Sequence, residues 1–234
     1  MHFLGKNPFR WLVQTVRQKG PSRVLKVTWN VVLDSIWDIS HGTETLTRIS
    51  PHDLDTDSGN KRHATYYGAT RARPLMKLFS HLGLSRECGF VDFGSGKGRV
   101  LMIAAQYGFR KIVGIDFSEP LCRLARQNLD AFCHRREVVS EITIVHADAV
   151  HYRIMEDEGI FFLYDPFGSE VLSKVLDNLR ESIVSSPRQL YLIYNSPRHH
   201  EVIQQSGLFE HNRHFEIGGN EFYVYGNVPI PARR

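Results

Sequence analysis

The chain of 234 residues contains only three cysteines, and their spacing excludes the usual structural roles of cysteine. Cys88, Cys122 and Cys133 form no Cys-x-x-Cys pair and are odd in number, so the sequence predicts neither a disulfide framework nor a cysteine zinc site. The 12 histidines show no His-Glu-x-x-His or similar ligand spacing. We therefore expect no metal site.

Long apolar runs are also missing. No stretch reaches the roughly 18 residues that a membrane-spanning helix requires. The first 20 residues, MHFLGKNPFRWLVQTVRQKG, lack the long apolar centre and the small-residue cleavage site of a signal peptide. The sequence therefore predicts a soluble, cytoplasmic protein without a transmembrane segment.

The chain also has only a small excess of positive charge. The formal net charge is +4, with 42% hydrophobic and 23% charged residues, which is ordinary for a globular protein. A mild basic excess permits an anionic partner without requiring one. Composition alone leaves the oligomeric state and the binding partners open.

Two zones follow one another along the chain. Residues 1–60 predict a helical extension or lid, with a break at Gly20-Pro21, a helix over 24–37 and a polar loop. Trp11, Trp29 and Trp37 are expected to dock this extension onto the main domain, the alternative being contact with a membrane surface. Residues 61–234 predict the main domain.

The main domain alternates between strand-like and helix-like segments. Five apolar segments read as strands: GFVDF, KIVGID, EITIVHAD, GIFFLYD and QLYLIYN. The third and fourth are almost wholly apolar and are expected to be buried on both faces. Two further strand-like runs around Gly219-Asn220 predict a terminal hairpin. The fold class is therefore α/β, with a doubly wound, mostly parallel, seven-stranded sheet, helices on both faces and a C-terminal antiparallel hairpin.

A glycine-rich turn, FVDFGSGKGRV over 90–100, follows the first strand. Its spacing is Gly-x-Gly-x-Gly, not the Gly-x-Gly-x-x-Gly of dinucleotide-binding enzymes, and no phosphate-binding GxxxxGK[ST] motif is present. Asp92, Asp116 and Asp148 stand at three strand ends, where an open α/β sheet binds nucleosides. Each of these residues also has an ordinary structural alternative, a plain turn for a glycine and a helix cap for an aspartate. The glycine turn and the three aspartates together on one rim favour a nucleoside site.

These stretches resemble the class I S-adenosylmethionine-dependent methyltransferases, over about residues 64–226. SIWDISHGTET and YYGATRARPLMKLFSHL look like a group of small bacterial methyltransferases, and GSGKGR looks like the matching segment of seven-strand protein-lysine methyltransferases. The resemblance implies S-adenosylmethionine as cofactor. It implies that Asp92 faces the methionine ammonium and that Asp116 takes the ribose hydroxyls. The other cofactor-binding residues that it implies are Gly94, Ser95, Gly96 and Gly98 under the methionine and ribose, Phe117 on the adenine face, and Ala147 and Asp148 at the adenine amino group.

The fourth strand ends in LYDPFGSE, which resembles the [DN]PP[YF] element of amino-group methyltransferases. The resemblance implies that Asp165 holds the attacking nitrogen beside the cofactor and that Phe167 offers a stacking face. The motif departs from the family pattern, since Gly168 stands at its aromatic fourth position. An alternative is that Asp165 caps the helix that begins near Ser169. Tyr67, before the first helix of the domain, is the second catalytic candidate, because it could flank an acceptor amine; the alternative is buried packing with one hydrogen bond from its hydroxyl.

The expected activity is methyl transfer from S-adenosylmethionine to a nitrogen or oxygen acceptor. We rank a protein side-chain amine first, a small molecule second and a nucleic acid third, because no basic stripe is interleaved with aromatics. A non-catalytic S-adenosylmethionine-binding module and a nicotinamide oxidoreductase are the alternatives from other classes. Lys97 in the turn is expected to be solvated, and Arg99 is expected to pair with a carboxylate.

Overall fold

The computed structural model describes residues 21–47 and 68–232, with side chains of the first helix from residue 28 onward. Within these ranges the chain forms seven strands, six α-helices and a short 3₁₀ turn at Ala149–His151. The helices are α1 (Pro21–His41), α2 (Ala72–Leu82), α3 (Arg99–Tyr107), α4 (Glu119–Arg135), α5 (Ser169–Ser185) and α6 (His200–Ser206). The strands are β1 (Gly89–Phe93), β2 (Lys111–Asp116), β3 (Glu141–His146), β4 (Glu158–Leu163), β5 (Tyr191–Asn195), β6 (His211–Ile217) and β7 (Asn220–Gly226).

All seven strands form one sheet in the order β3-β2-β1-β4-β5-β7-β6. The first five strands of the chain pair in parallel, and β7 pairs antiparallel with both β5 and β6. The predicted fold class is therefore confirmed. The order reverses direction at β1, and such a switch point opens a crevice at the carboxyl ends of the strands.

The sheet is covered by helices on both faces because successive side chains of a strand point to opposite sides. Phe90 of β1 belongs to an apolar cluster that contains residues of α2, α3 and α4, whereas its neighbour Val91 belongs to a second cluster with residues of α5 and α6. Both side chains are fully buried. The helical layers therefore hold the strand ends at fixed positions.

Two details of the predicted sheet are wrong. Strand β3 lies at the edge of the sheet and alternates between exposed and half-buried residues, so it is not buried on both faces. The alternation of Glu141 and Thr143 with Ile142 and Ile144 is the local sign of one exposed face, whereas the edge position itself depends on strand order. The hairpin turns at Gly218 and Gly219, whose φ angles are 61° and 79°, and Asn220 already pairs with Ile217. Both central residues of such a two-residue turn need positive φ, which favours glycine.

Helix α1 docks on the domain through the buried side chain of Arg99. The sequence predicts that Arg99 pairs with a carboxylate, and in the structure it pairs with two. The Arg99 side chain is 2% exposed, and its guanidinium lies 3.0 Å from carboxylate oxygens of both Asp34 and Asp38 in α1. Its Nε donates to the Thr45 hydroxyl, and its Cζ lies 4.8 Å from the centre of the Trp37 ring. Because Arg99 follows the glycine turn directly, α1 is tied to the wall of the crevice.

The expectations for Lys97 and for Trp29 are wrong. Lys97 is 3% exposed and its Nζ lies 3.7 Å from the Glu44 carboxylate, so it is buried under the segment after α1 rather than solvated. Trp37 does dock, but Trp29 is 62% exposed. Trp11 lies outside the described residues. Within residues 21–47 and 68–232, no helix combines the length and apolar character needed to cross a membrane.

Candidate cofactor and acceptor site

The glycine turn between β1 and α3 shapes the floor of the crevice. Gly94, Gly96 and Gly98 have φ angles of 78°, 54° and 82°, a region that residues with a Cβ atom rarely occupy. A Cβ on Gly94 would lie 2.5 Å from the Pro166 side chain, so the turn also needs glycine to pass beneath the segment after β4. The turn therefore brings the carboxyl ends of β1 and β4 together.

Asp116, the last residue of β2, fixes this turn. Its two carboxylate oxygens accept hydrogen bonds of 2.9 Å from the backbone N–H groups of Gly96 and Ser118. The side chain is 5% exposed, and burial raises the pKa of its carboxyl to about 6. Each carboxylate oxygen has a second lone pair, so the group can still accept from a ligand hydroxyl.

Asp92 and Ser95 present polar atoms that no described residue satisfies. The side chains of Asp92 and Ser95 are 2% and 5% exposed and line the crevice, yet Oδ2 of Asp92 and Oγ of Ser95 lack a hydrogen-bond partner in the described chain. Burial, together with the negative charge of Asp116, raises the pKa of Asp92 well above its ordinary value. Since an unsatisfied buried polar group is costly, such atoms suit a polar, cationic ligand.

Seven of the predicted cofactor-binding residues line one crevice: Asp92, Gly94, Ser95, Asp116, Phe117, Ala147 and Asp148. Gly96 and Gly98 lie in the turn but do not line it. Gly96 donates its N–H to Asp116, and a Cβ on Gly98 would lie 3.3 Å from Ala125 of α4. Asp148 also accepts a hydrogen bond from the Val150 N–H and so caps the 3₁₀ turn at Ala149–His151. A helix cap was the structural alternative given for this aspartate.

Asp165 lies beside the crevice, between the lining residues Tyr164 and Pro166. It has a φ of 44°, and its carboxylate, in a residue 6% exposed, accepts a 2.7 Å hydrogen bond from the Tyr194 hydroxyl and another from the Arg198 Nε. The cap of α5 is Gly168 with no side-chain hydrogen bond, so Asp165 does not cap that helix. Burial and the hydrogen bond to Asp165 raise the pKa of Tyr194, which keeps its hydroxyl a donor.

The predicted catalytic candidate Tyr67 lies outside the described residues. Other positions at the crevice were not indicated by the sequence. Arg198 was missed, since it stands 33 positions from Asp165 and follows no motif. The side chains of Phe162 and Val171 complete the wall of the crevice, and their apolar pattern predicts burial but not which cavity they line.

A sequence model of the family "Histone methylation protein DOT1" matches residues 50–147, which is less than half of the chain. This segment contains the glycine turn, Asp92 and Asp116, and the sheet has the mostly parallel pairing and the terminal hairpin that the sequence predicts. The matched segment and the fold are therefore similar to those of class I S-adenosylmethionine-dependent methyltransferases. No curated protein sequence matches this chain.

Solved structures of methyltransferases share the fold of this chain at low sequence identity. A SAM-dependent methyltransferase from Aquifex aeolicus is 16% identical with a TM-score of 0.51, and the match covers 66% of this chain and 88% of that one. A putative O-methyltransferase from Nostoc punctiforme PCC 73102 is 13% identical with a TM-score of 0.52, covering 66% of this chain and 55% of that one. The mitomycin 7-O-methyltransferase MmcR is 13% identical with a TM-score of 0.51, and the match covers 68% of this chain and 54% of that one. These likenesses concern the fold.

The residues present fit S-adenosylmethionine. The compound carries an ammonium group and two ribose hydroxyls, which are donors, and the crevice offers two buried carboxylates, one with an unsatisfied oxygen. Phe117 lines the crevice next to Asp116, where a flat ring would find an apolar face. The donor set of the ligand and the acceptor set of the site therefore match.

Replacing Asp116 with alanine is expected to weaken S-adenosylmethionine binding about 100-fold, because two charge-assisted hydrogen bonds to the ribose would be lost. Isothermal titration calorimetry measures the change. Asp177→Ala, which removes an exposed acid on α5, is the matched control and should bind normally. A loss below about threefold in Asp116→Ala protein that retains its unfolding midpoint would refute the ribose assignment.

Cofactor affinity is expected to increase between about pH 5 and pH 7. A carboxyl with a raised pKa is protonated below that pKa and gains its charge as the pH rises through it, which is about 6 for Asp116. Only the ionised forms of Asp92 and Asp116 attract the ammonium and accept from both hydroxyls. Calorimetric titrations between pH 5 and pH 7 measure how steeply the cofactor affinity changes with pH. Asp92→Asn should make this change smaller. An affinity independent of pH would contradict this expectation.

Proposed function

We propose that the methyltransferase acts on an amine nitrogen, and that the acceptor is a protein side chain. The observation that carries the proposal is the carboxylate of Asp165, buried beside the crevice and oriented by Tyr194 and Arg198. A carboxylate can only accept hydrogen bonds, so it orients a donor such as N–H. The match to a family described by histone methylation supports a protein amine over a small molecule.

We assign the bound cofactor to the carboxyl rim of β1, β2 and β3. Asp92 would hold the methionine ammonium, Asp116 the ribose hydroxyls, Phe117 the adenine face, and Ala147 with Asp148 the adenine amino group. The glycine turn of Gly94, Ser95, Gly96 and Gly98 would pass under the methionine and ribose. Support comes from the shared crevice and from the unsatisfied atoms of Asp92 and Ser95.

The cofactor, when bound, supplies a methyl group on a positively charged sulfur, so the chain needs no separate activating group. Asp165 would accept an N–H of the neutral amine and direct its lone pair towards the methyl group. Tyr194 and Arg198 hold the two carboxylate oxygens in place. Phe167, 9% exposed, and Tyr164, 37% exposed, border the same entrance and would exclude water from the acceptor. Tyr67 would flank the amine from the segment before α2.

We also propose that residues 61–234 form the catalytic domain and that residues 1–60 are an extension docked on it. The buried contacts of Arg99 with Asp34 and Asp38 support this division. A lid over the cofactor is the role we assign to the extension, because Arg99 also lines the crevice.

The test uses purified protein, radiolabelled S-adenosylmethionine and host lysate, separated afterwards into protein, nucleic acid and small molecules. We expect label in the protein fraction, and acid hydrolysis should release it as a methylated amino acid with the methyl group on a side-chain nitrogen. Asp165→Ala protein is the matched control and should add almost no label to any fraction beyond that of lysate incubated without the protein. Label confined to nucleic acid or to small molecules would overturn the assignment of a protein acceptor.

A further inference from the structure

The outer side of helix α1 carries a stripe of exposed apolar residues. Trp29, Val32, Ile36 and Ile39 are 62%, 41%, 54% and 73% exposed. Successive spacings of three, four and three residues place all four on one face of the helix. Of the ten exposed large hydrophobic residues in the described chain, five lie between residues 29 and 39. We call these four residues the outer stripe.

The charges of the same helix segment face the other way. Asp34 and Asp38 are 9% and 6% exposed and are held by Arg99 on the domain side. The remaining exposed side chains between residues 28 and 40 are uncharged: Thr28, Val31 and Ser40. The outer stripe therefore forms an apolar surface without any charge of its own.

Basic residues are concentrated just before this surface. Residues 1–33 contain six basic residues and no Asp or Glu; the six are Lys6, Arg10, Arg17, Lys19, Arg23 and Lys26. The whole chain has a net charge of +4, so residues 34–234 together carry −2 (4 − 6). The basic character of the protein thus belongs entirely to the segment that leads into the outer stripe.

An uncharged apolar face next to a basic segment is the pattern of an interfacial membrane helix. The apolar face enters the boundary between headgroups and acyl chains, and Lys and Arg attract anionic lipids. A second copy of the chain fits less well, since two segments with six positive charges each would repel one another. A nucleic acid would engage the basic residues but would leave the outer stripe exposed to water.

We propose that helix α1 binds the surface of an anionic lipid bilayer through the outer stripe, with the preceding basic residues contacting lipid headgroups. The opposite face of α1 holds Arg99, which lines the crevice. Bound in this way, the crevice lies roughly one helix diameter, about 10 Å, from the bilayer. The enzyme would then meet acceptors at a membrane surface.

The test is co-sedimentation of the full chain with vesicles, either of phosphatidylcholine alone or of an equal mixture of phosphatidylcholine and phosphatidylglycerol. We expect binding to the mixed vesicles, little binding to phosphatidylcholine, and weaker binding as salt increases. Ile36→Asp/Ile39→Asp should lower the partition coefficient at least about tenfold. Replacing any single basic residue of 1–33 with serine should lower the partition coefficient roughly fivefold.

Val184→Asp is the matched control, since Val184 on α5 is 77% exposed and lies outside the outer stripe. It should bind vesicles as the unmodified chain does. Should the double variant lose its unfolding transition, Ile39→Ser at the most exposed position of the stripe replaces it in the same assay.

Three results would overturn the proposal. The first is an absence of binding to the mixed vesicles, and the second is equal binding by the folded stripe variant. The third is a dimer, or salt-dependent retention on RNA or DNA, in protein that does not bind vesicles. The vesicle assay contains no S-adenosylmethionine and no acceptor, so its outcome is independent of methyl transfer.

Discussion

Asp165→Ala protein is expected to bind S-adenosylmethionine normally and to transfer its methyl group about 1,000-fold more slowly. The carboxylate of Asp165 is oriented by Tyr194 and Arg198 beside the crevice, and it does not cap helix α5. Its removal therefore takes away the group that aligns the acceptor nitrogen and leaves the glycine turn intact. Calorimetry measures the cofactor affinity, and transfer of radiolabel to the acceptor fraction measures the rate.

Two comparisons make this prediction specific. Asp165→Asn retains an oxygen acceptor and should keep more activity than Asp165→Ala, because the amide oxygen can still accept an N–H. Asp177→Ala, on the exposed side of α5, should transfer at the normal rate. Full activity of Asp165→Ala with unchanged cofactor binding would exclude Asp165 from acceptor binding.

Arg99→Met is expected to lower the free energy of unfolding by about 3–5 kcal/mol. The substitution keeps most of the apolar stem but leaves the carboxylates of Asp34 and Asp38 buried without their shared cation. It also removes the donor to Thr45 and the contact with the Trp37 ring. Urea unfolding monitored by circular dichroism gives the change.

Arg110→Met is the matched control for this effect. Arg110 and Glu87 form a pair at 3.1 Å, but their side chains are 72% and 67% exposed. Exposed ion pairs contribute about 0–1 kcal/mol, so this variant should unfold almost as the original chain does. Equal effects of the two substitutions would show that α1 does not depend on Arg99 for its docking.

The sequence allowed the sheet and the acidic rim of the crevice to be predicted because both follow from local patterns. Alternating strand and helix segments imply parallel pairing, and the aspartates at the ends of strands then come to the same edge. The cap of α4 is equally local, since the Ser118 hydroxyl accepts from the Leu121 N–H three residues later. Seven residues that the sequence predicts at or near the strand ends line one crevice in the structure.

Other features could not be predicted, because they depend on partners far away in the chain. The burial of Arg99 requires Asp34, which lies 65 positions earlier. The orientation of Asp165 requires Tyr194 and Arg198, 29 and 33 positions later. A lysine or arginine in a turn is exposed in most proteins, so Lys97 gave no local sign of its burial.

By itself, the amino-acid sequence determined the order of helices and strands, the glycine turn and the acids at the strand ends, because backbone preference and apolar periodicity act over a few residues. Only the tertiary structure decided which charges are buried against one another, which strand lies at the sheet edge and which apolar face of α1 stays exposed. These outcomes depend on long-range packing, since burial and pairing are properties of the surroundings that distant segments provide.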